Sequence, residues 1–596
     1  MNNNTLNIAV IAHVDHGKTT LTNNLLRQAN VLDEVGMDRN PLEQKRGITM
    51  FSKVASVSYG NVKINLIDTP GHSDFGGEVE RILSMVDSVM LLVDSAEGVM
   101  PQTKFVLSKA LKVGLRPIVI INKVDRPDRR IEEVINEISD LFLALEANDE
   151  QLNFPVLYAS GRDGWCVRNL NDQRESLVPL LETIIEYTPV RKYDSEAPFA
   201  MLVTMLENDN FLGRILIGKI EQGSVSVNAS VKAINLNGEL LENSRITKLQ
   251  IFDGMVKKVV ENAQAGEIIA IAGLADTSVT DTVCDPSVNT AISAMPIDPA
   301  TISINISVNT SPFTGKEGNK LTSRMILARL LQEVKTNVSI KMEEKGEGQF
   351  EVMGRGELQL GVLIENMRKE GFELSVSRPK VVIRIDENGQ KMEPIEELTI
   401  DMDEEYAGIV METLNTKKGI MQSMENYPGG RVRLVYHIPA RSLIGYHGRF
   451  SSDTRGSGIL NKVFYGYAPY SGKIESRSNG VLVSNGQGEA VAYALFNLQD
   501  RGVMFVKPQD PVYCGMIVGE HSRGNDLDVN VLKGKQLTNI RAAGSDEAVR
   551  LSPPLIMTLE EMMAYINDDE LVEVTPLSLR LRKKILDPNM RKKKNV

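Results

Sequence analysis

The sequence contains little cysteine and little histidine. Three of its 596 residues are cysteines, at positions 166, 284 and 514, and this odd, widely spaced set predicts neither a disulfide framework nor a cysteine metal site. We therefore expect a protein of a reducing compartment. Three of the six histidines, His437, His447 and His521, are too scattered to have the spacing of metal ligands.

Long hydrophobic runs are also missing. No stretch of about 20 uninterrupted apolar residues is present to span a bilayer, and the first residues have no basic segment of the kind that opens a secretory signal peptide. We expect a soluble cytoplasmic protein without a membrane partner. A chain of 596 residues is too long for one hydrophobic core, and roughly 100–200 residues per domain predict three to five domains.

Positive charge is scarce overall, with a formal net charge of -11, but it is concentrated in two regions. The range 416–455 contains only the acids Glu425 and Asp453, against Lys417, Lys418, Arg431, Arg433, Arg441, Arg449 and Arg455. The range 580–594 contains a single acid, Asp587, among many lysines and arginines. Two basic regions in an acidic chain favour a polyanionic partner. The alternative is a solvated surface and a solvated tail.

The segment Ala12-His13-Val14-Asp15-His16-Gly17-Lys18-Thr19 follows an apolar run and precedes a helix-compatible stretch. A strand, a tight turn and a helix in this order are typical of a phosphate loop, whose backbone N–H groups bind a polyphosphate. Lys18 is predicted to reach the β and γ phosphates, and Thr19 to offer its hydroxyl to Mg²⁺. The general motif has glycine at its first position, where this sequence has Ala12.

Two later segments predict a sensor of the γ-phosphate. Thr49 precedes an alternating strand and is the candidate switch threonine that closes over Mg²⁺ in the triphosphate state. A second alternating strand ends in Asp68-Thr69-Pro70-Gly71-His72. Asp68 can hold Mg²⁺, and Gly71 lets its N–H approach the γ-phosphate. His72 occupies the position from which small signalling GTPases use a glutamine to orient the attacking water.

Another buried-strand run ends at Asn122-Lys123-Val124-Asp125, which predicts recognition of the base. The Asp125 carboxylate can accept from both N1–H and N2–H₂ of guanine, an arrangement that adenine cannot satisfy. Leaving that carboxylate unpaired costs about 1–3 kcal/mol or more, so the site should prefer GTP to ATP. Ser160 and Gly161 complete the predicted base pocket.

The sequence therefore predicts GTP or GDP and Mg²⁺ as cofactors and His72 as the catalytic residue. The predicted metal ligands are Thr19, Thr49 and Asp68. The predicted nucleotide-binding residues are Asp15, His16, Gly17, Lys18, Thr19, Thr20, Gly71, Asn122, Lys123, Asp125, Ser160 and Gly161.

In detail, the segments that contain Lys18, Thr49 and His72 resemble the translation-factor GTPases rather than the small signalling ones. Members of that family commonly share the histidine after the glycine of Asp-Thr-Pro-Gly. The resemblance implies that His72 becomes productive only when the ribosome positions it, and that intrinsic turnover is low.

Beyond the GTPase segment, short alternating runs with turn glycines predict a small barrel similar to the second domain of translation factors. Two βαββαβ patterns follow, beginning near Thr301 and Ile395, and the first resembles the third domain of elongation factor G. The large fourth domain of that factor has no room here, because only the range 381–394 separates the two patterns.

The last block is expected to contain strands at Glu489–Leu495, Val512–Val518 and Leu527–Val531 and a helix at Leu559–Ile566. Its segments 485–488, 498–502, 521–527 and 568–576 resemble the BipA/TypA family, and with the domain order this resemblance covers essentially the whole chain. It implies a ribosome-binding GTPase that acts under stress or in the cold and aids assembly of the large ribosomal subunit. It also implies that the C-terminal domain lies near the acceptor end of transfer RNA.

We thus predict a multidomain protein of α/β and β structure. Its domains are a P-loop GTPase domain (1–197), a β-barrel (198–298), two ferredoxin-like α+β domains (299–385 and 386–484) and a distinct, mainly-β C-terminal domain with a basic tail (485–596).

The expected partners are the ribosome, as large subunit and assembled particle, ribosomal RNA and the transfer RNA acceptor end, and the expected state is a monomer. Residues predicted to contact RNA are Lys417, Lys418, Arg523, Lys533 and Lys535. Two alternatives remain open at this point. One is a factor similar to LepA, which also lacks the fourth domain, and the other is an RNA-binding assembly chaperone in which GTP only times release.

Overall fold

The computed structural model describes residues 5–13, 15–31, 43, 49, 52–70, 76–189, 191, 193–209, 211–294, 299–337, 339–346, 348–427, 430–474, 477–534 and 550–594. The chain forms two compact units. The first comprises Met1–Pro299, Lys335–Ser339 and Asn461–Val463, and the second comprises Ala300–Val334, Ile340–Leu460 and Phe464–Val596. Within the described ranges, no helix combines the length and the apolar character needed to cross a membrane.

The first unit begins with a seven-stranded sheet in the order β2-β3-β1-β4-β5-β6-β7. Its strands are β1 (Thr5–Ala12), β2 (Lys53–Tyr59), β3 (Val62–Asp68), β4 (Ser88–Asp94), β5 (Arg116–Asn122), β6 (Val156–Ser160) and β7 (Trp165–Val167). Strands β3, β1, β4, β5 and β6 are mutually parallel, and β2 and β7 are antiparallel edges. The parallel strands are buried on both faces, which explains their continuous apolar runs.

Helices connect the strands of this sheet. They are α1 (Lys18–Gln28), α2 (Gly76–Leu83), α3 (Pro101–Lys112), α4 (Ile131–Ala144), α5 (Asp149–Leu152) and α6 (Val178–Tyr187). Two hydrophobic clusters form the core, and alternate residues of β1 belong to one or the other. The carboxyl ends of the parallel strands meet at one edge of the sheet, which is where ligands bind in folds of this class.

An antiparallel sheet of eight strands follows in the order β12-β11-β17-β8-β9-β16-β13-β14, with a separate β10-β15 pair. Its strands are β8 (Ala200–Asp209), β9 (Gly213–Gln222), β10 (Ser224–Ser226), β11 (Ser230–Ile234), β12 (Leu240–Arg245), β13 (Lys248–Asp253), β14 (Val256–Val259), β15 (Asn262–Gln264), β16 (Ile268–Ala272) and β17 (Thr282–Cys284).

Buried polar contacts connect this antiparallel sheet to the parallel one. The Lys219 ammonium, fully buried in β9, lies 3.3 Å from Asp87 Oδ1, and the Tyr193 hydroxyl donates to the same oxygen at 3.2 Å. The backbone N–H and the side chain of Asn7 in β1 both donate to Asp87 Oδ2, and Asn7 Nδ2 also donates to Gly266 O. A buried charge is tolerated only when it is paired and hydrogen-bonded, so these contacts fix β1 against the second sheet.

The second unit contains an eleven-stranded sheet, whose main path runs β19-β20-β18-β21-β34-β35-β32-β28-β33, with β22 beside β18 and β30 beside β32. The strands are β18 (Ile302–Val308), β19 (Lys341–Gly346), β20 (Gln349–Gly354), β21 (Leu374–Val376), β22 (Lys380–Val381), β28 (Val481–Ser484), β30 (Gly502–Met504), β32 (Met516–His521), β33 (Leu527–Val529), β34 (Glu570–Val574) and β35 (Leu579–Lys583). Strands from the first predicted α+β domain and from the predicted C-terminal domain therefore share one sheet.

This unit also contains a five-stranded sheet, β23-β24-β26-β25 with β27 beside β24. Its strands are β23 (Arg384–Ile385), β24 (Lys391–Asp403), β25 (Ile420–Tyr427), β26 (Arg431–Pro439) and β27 (Ile459–Pro469), and a small pair is made by β29 (Gly488–Glu489) and β31 (Pro511–Val512). The helices are α7 (Ser323–Thr336), α8 (Glu357–Lys369), α9 (Ala407–Thr416), α10 (Tyr446–Asp453), α11 (Ala492–Leu498), α12 (Leu559–Tyr565) and α13 (Pro588–Lys594).

Two expectations for the C-terminal block were wrong. The range Glu489–Leu495 was expected to be a strand, but most of it belongs to α11, because every second residue is alanine, the strongest helix former. The strand expected at Val512–Val518 is divided into β31 and β32 by a turn at Gly515. That glycine has φ 88°, and a Cβ there would lie 2.6 Å from Leu586 Cα.

The pairing of β21 with β34 is reinforced by a buried carboxylate. Glu573 in β34 is fully buried and accepts hydrogen bonds from Asn309 Nδ2 at 3.0 Å, Ser311 Oγ at 2.5 Å and Tyr513 OH at 2.6 Å. The Arg580 guanidinium lies 3.5 Å away. The hydrogen-bond donors come from two separate segments of the chain and Arg580 from a third, so this carboxylate stabilises the junction within the shared sheet.

We expect Glu573→Ala to lower the free energy of unfolding by about 3 kcal/mol, because it leaves several buried donors without their acceptor. Guanidinium denaturation followed by circular dichroism would measure this change, and hydrogen exchange should show reduced protection in β21 and β34. Glu489→Ala, at an exposed carboxylate of the same unit, is the matched control. Equal denaturation midpoints for the two variants would contradict the role assigned to Glu573.

Candidate functional site

The predicted phosphate loop connects β1 to α1 with two residues in the left-handed region. Asp15 has φ 63° and Gly17 has φ 89°. A Cβ on Gly17 would lie 2.5 Å from Asn122 Nδ2, so only glycine fits at this position. Helix α1 begins at Lys18, and the N–H of Leu21 donates to Gly17 O at 2.9 Å. The loop therefore meets the N-terminus of a helix, where free N–H groups favour an anion.

A buried amide joins this loop to the predicted base pocket. Asn122, at the carboxyl end of β5, is 1% exposed. Its Nδ2 donates to His16 O at 2.8 Å, and its Oδ1 accepts from the Gly161 N–H at 2.8 Å. One side chain thus holds the phosphate loop and the loop after β6 at a set separation.

The Lys18 ammonium is buried and lies 3.2 Å from Asp68 Oδ1, and Asp68 is fully buried at the end of β3. These opposite charges compensate each other away from water. The Lys18 ammonium has three N–H donors, and Asp68 lies on one side of it. Lys18 can therefore also bind a second anionic group.

The oxygen atoms beside Lys18 fit a magnesium ion. Thr19 Oγ1 lies 3.1 Å from Thr49 Oγ1, and the Asp68 carboxylate is close to the same lysine. Mg²⁺ is bound by hydroxyl and carboxylate oxygens in nucleotide sites. Across the described residues, no cluster of three or more His, Cys, Asp or Glu side chains is arranged to hold a different metal ion.

The ring of His16 points into the protein and is fully buried. Its Nδ1 accepts from the Asp94 N–H at 3.3 Å, and its Nε2 lies 3.4 Å from Glu97 Oε2. The hydrogen bond from His16 is the main reason that the pKa of Glu97 lies below its ordinary value. His16 therefore shapes the loop through its carbonyl and its buried ring.

Asp94, at the end of β4, orients Lys123. Lys123 has φ 59°, and its Nζ lies 2.7 Å from Asp94 Oδ2. Burial raises the pKa of Asp94, but the hydrogen bonds from Lys123 and from the N–H groups of Ala96 and Glu97 outweigh that effect, so the net pKa is lowered. Asp94 and Glu97 were not predicted from the sequence. The sequence feature that could have identified Asp94 is its position at the carboxyl end of a predicted parallel strand.

The residues predicted to recognise the base lie together at the same edge. Asp125 is partly exposed, and the Arg162 guanidinium donates to its Oδ2 at 3.1 Å. The Ser160 hydroxyl donates to Asp163 Oδ2 at 2.8 Å. The sequence motifs contain neither Arg162 nor Asp163. A guanine that binds Asp125 would meet the Arg162 side chain, which is 77% exposed and also pairs with Asp163.

Among the remaining predicted residues, Thr20 and Asp15 are exposed at the start of α1. Gly71 and His72 lie outside the described residues. The structure therefore brings the other predicted nucleotide residues to one sheet edge, beside Thr49 and Asp68. They are Asp15, His16, Gly17, Lys18, Thr19, Thr20, Asn122, Lys123, Asp125, Ser160 and Gly161.

The residues predicted to contact RNA belong to the second unit. Lys417 follows α9, and its Nζ donates to Ser442 O at 2.7 Å. Lys418, Arg523 and Lys533 are exposed. Lys535 lies outside the described residues.

Comparison with known proteins agrees with this geometry. Four family profiles match the chain: "Elongation factor Tu GTP binding domain" over residues 3–190, "Elongation factor Tu domain 2" over 213–284, "Elongation factor G C-terminus" over 390–478 and "TypA/BipA C-terminal domain" over 479–588. The first three define the class of translation-factor GTPases.

Relatives that align over the full length identify the family within this class of GTPases. Proteins named "Large ribosomal subunit assembly factor BipA" from Salmonella typhimurium and Escherichia coli K12 are each 49% identical, and the alignments cover 99% of this chain and 98% of theirs. A protein of the same name from Haemophilus influenzae is 48% identical over 99% of this chain and 97% of its own. The chain belongs to the BipA family, also called TypA.

A crystal structure of a Thermus thermophilus protein has a similar fold, with a TM-score of 0.54 at 17% identity. The match covers 78% of this chain and 97% of that one. At this identity the likeness concerns the fold alone.

We expect Asn122→Ala to weaken binding of GDP and GTP at least tenfold, because it leaves the Gly161 N–H and the His16 carbonyl without their buried partner, at about 1–3 kcal/mol each. Titration with a fluorescent guanine nucleotide would measure the affinity. The control is Arg168→Ala, which removes a surface ion pair with Glu186 and should change the affinity less than twofold. Unchanged affinity in a folded Asn122→Ala protein would contradict the bridging role.

Proposed function

We propose that the protein is a ribosome-associated GTPase that hydrolyses GTP to GDP and phosphate and takes part in assembly of the large ribosomal subunit. The observation that carries this proposal is the combination of predicted nucleotide-binding residues gathered at one sheet edge with full-length similarity to proteins named as large-subunit assembly factors. We further propose that it acts in translation under stress or cold, in the cytoplasm and as a monomer.

Each site residue has a proposed role. The phosphate-loop residues Asp15 to Thr20 bind the polyphosphate through their N–H groups, with Lys18 turned to the β and γ phosphates. Asn122 positions the pocket, and Lys123, Asp125, Ser160 and Gly161 hold the guanine base. Gly71 would donate its N–H to the γ-phosphate.

Thr19, Thr49 and Asp68 would hold Mg²⁺, directly or through water. When bound, the ion neutralises charge that develops on the phosphate oxygens. The 3.1 Å approach of the two threonine hydroxyls supports a coupled arrangement, in which release of Thr49 accompanies loss of the γ-phosphate.

The second unit would provide the partner surfaces. Lys417, Lys418, Arg523, Lys533 and Lys535 are proposed to contact ribosomal RNA, and the C-terminal block to lie near the acceptor end of transfer RNA. The proposed domain composition is a GTPase domain (1–197), a barrel (198–298), two α+β domains (299–385 and 386–484) and a C-terminal domain (485–596). The match to the TypA/BipA C-terminal domain favours this protein class over a factor similar to LepA.

Stimulation of GTP hydrolysis distinguishes the two modes of action. Whole ribosomes would stimulate a factor of the translating particle, whereas only large-subunit precursors would stimulate an assembly factor. Comparing the hydrolysis rate with each particle and with no particle decides between them.

His72→Ala should abolish ribosome-stimulated hydrolysis and leave GTP affinity nearly unchanged, since the imidazole is proposed to orient water rather than to bind nucleotide. Phosphate release with saturating ribosomes measures the first quantity, and fluorescence titration measures the second. Ribosome binding by co-sedimentation is the control for complex formation. A large loss of nucleotide binding would refute the catalytic role.

Replacing Lys533 and Lys535 together with Glu should weaken ribosome binding by about tenfold at moderate salt, and the deficit should shrink as salt rises. Co-sedimentation across a salt series measures it. Lys507→Glu with Arg501→Glu, at exposed positions of the C-terminal block outside the basic tail, provides a charge-matched control. The RNA contact is ruled out if the test variant and the wild type co-sediment equally at every salt concentration.

A further inference from the structure

Three segments of the second unit, each with a cationic side chain, pack together where α9 ends. Lys417 follows this helix, and its Nζ donates to Ser442 O at 2.7 Å and lies 5.5 Å from the centre of the Tyr446 ring. Arg449 lies in α10, the helix that begins at Tyr446. Arg378 precedes β22, which packs against the turn that contains Ser442. Chain segments far apart in sequence are thus brought together with the same sign of charge.

These cations repel one another. Burial lowers the pKa of Lys417 below its ordinary value, and the positive charges of Arg449 and Arg378 lower it further. Lys417 is half-buried, and its ammonium donates to a neutral carbonyl. Arrangements of this kind are unfavourable unless an anion compensates the charge.

Acidic side chains of the protein neutralise these positive charges only in part. In the described part of the chain, no carboxylate forms an ion pair with Lys417 or Arg378. Arg449 is 62% exposed, and its nearest acid, Asp453, lies 3.6 Å from its Nε. The Tyr446 hydroxyl beneath the cluster is buried and has no hydrogen-bond partner among the described residues.

The end of a helix explains only part of this arrangement. A cation at the C-terminus of α9 is favoured by the helix dipole, which accounts for Lys417. It does not account for two guanidinium groups from α10 and from the segment before β22. A planar guanidinium presents a fork of donors that matches the oxygens of a phosphate, and an ammonium adds a point charge.

We propose that Arg378, Lys417 and Arg449 form a phosphate-binding site, and that the ligand is the backbone of RNA. The proposal rests on the proposed ribosomal function and extends it to a defined site. One phosphodiester has a single negative charge, so three cations suit two neighbouring phosphates of a polynucleotide. The exposed Lys418 next to the cluster continues it to the surface, where a polymer has access. A bound backbone would also join the segment before β22 to α9 and α10.

The test variant is Arg378→Gln with Arg449→Gln, and Lys345→Gln with Lys391→Gln is the control that removes the same charge from exposed positions of this unit. Binding of the full-length proteins to purified large subunits is measured across a salt series. The test variant should lose about tenfold in affinity, and its slope of log affinity against log salt should be shallower by about 1 to 2 than that of the wild type. The control should lie within about threefold of the wild type.

Additional binding experiments distinguish an error in the proposed phosphate site from an error in the proposed ribosomal function. If the wild type does not bind large subunits, the ribosomal proposal fails, and a 12-nucleotide RNA then tests the site by itself. Weaker RNA binding by the test variant than by the control supports the site, and equal binding overturns it. Inorganic phosphate supplies the last comparison. If it raises the unfolding temperature of the wild type but not of the test variant, while RNA affinities are equal, the site binds free phosphate and the RNA proposal is wrong.

Discussion

The nucleotide site depends on one buried carboxamide. Asn122 donates to the carbonyl of His16 and accepts from the N–H of Gly161, each at 2.8 Å, and a rigid amide holds both loops at a fixed distance. Residue 17 must be glycine because a Cβ there would lie 2.5 Å from Asn122 Nδ2. Because β1 is also tied by Asn7 and Asp87 to the antiparallel sheet, the phosphate loop is fixed relative to both sheets of the first unit. These contacts within the protein preorganise the two loops, which reduces the entropy cost of binding a nucleotide.

Most of the candidate site could be predicted from the sequence, because its motifs are short and each follows a strand. Parallel strands that end at one edge bring Lys18, Asp68 and Asn122 together without further information. The structure adds side chains that support these groups from neighbouring strands, above all Asp94 and Arg162. No local pattern marks such residues, since their roles depend on which strand lies next to which. Thr49 was expected near the metal, and its hydroxyl does lie beside that of Thr19.

The fold of the second unit was predicted less completely. Helices α7, α8 and α9 lie within the two predicted βαββαβ patterns, whereas α11 occupies most of a range that was expected to be a strand. The larger difference concerns strand pairing. Nothing in the local sequence of β21 indicates that its neighbour is β34, because each strand is short and the register is set by residues distant in sequence. The hydrogen-bond donors of the buried Glu573 carboxylate are likewise distant from it in sequence, so no local pattern predicts them.

The pairing of β21 with β34 has a consequence for the newly made chain. Leu374 pairs with Val574, so 574 − 374 = 200 residues must be synthesised before the edge of β21 meets its partner. At about 5–20 residues per second this interval lasts roughly 10–40 s. Throughout it, the strands from β18 to β21 present an uncovered edge of the kind that can pair with other chains. During this interval the exposed edge of a growing chain can pair with the edge of another growing chain when ribosomes lie close together on the messenger RNA. A chaperone that covers the edge would prevent this aggregation.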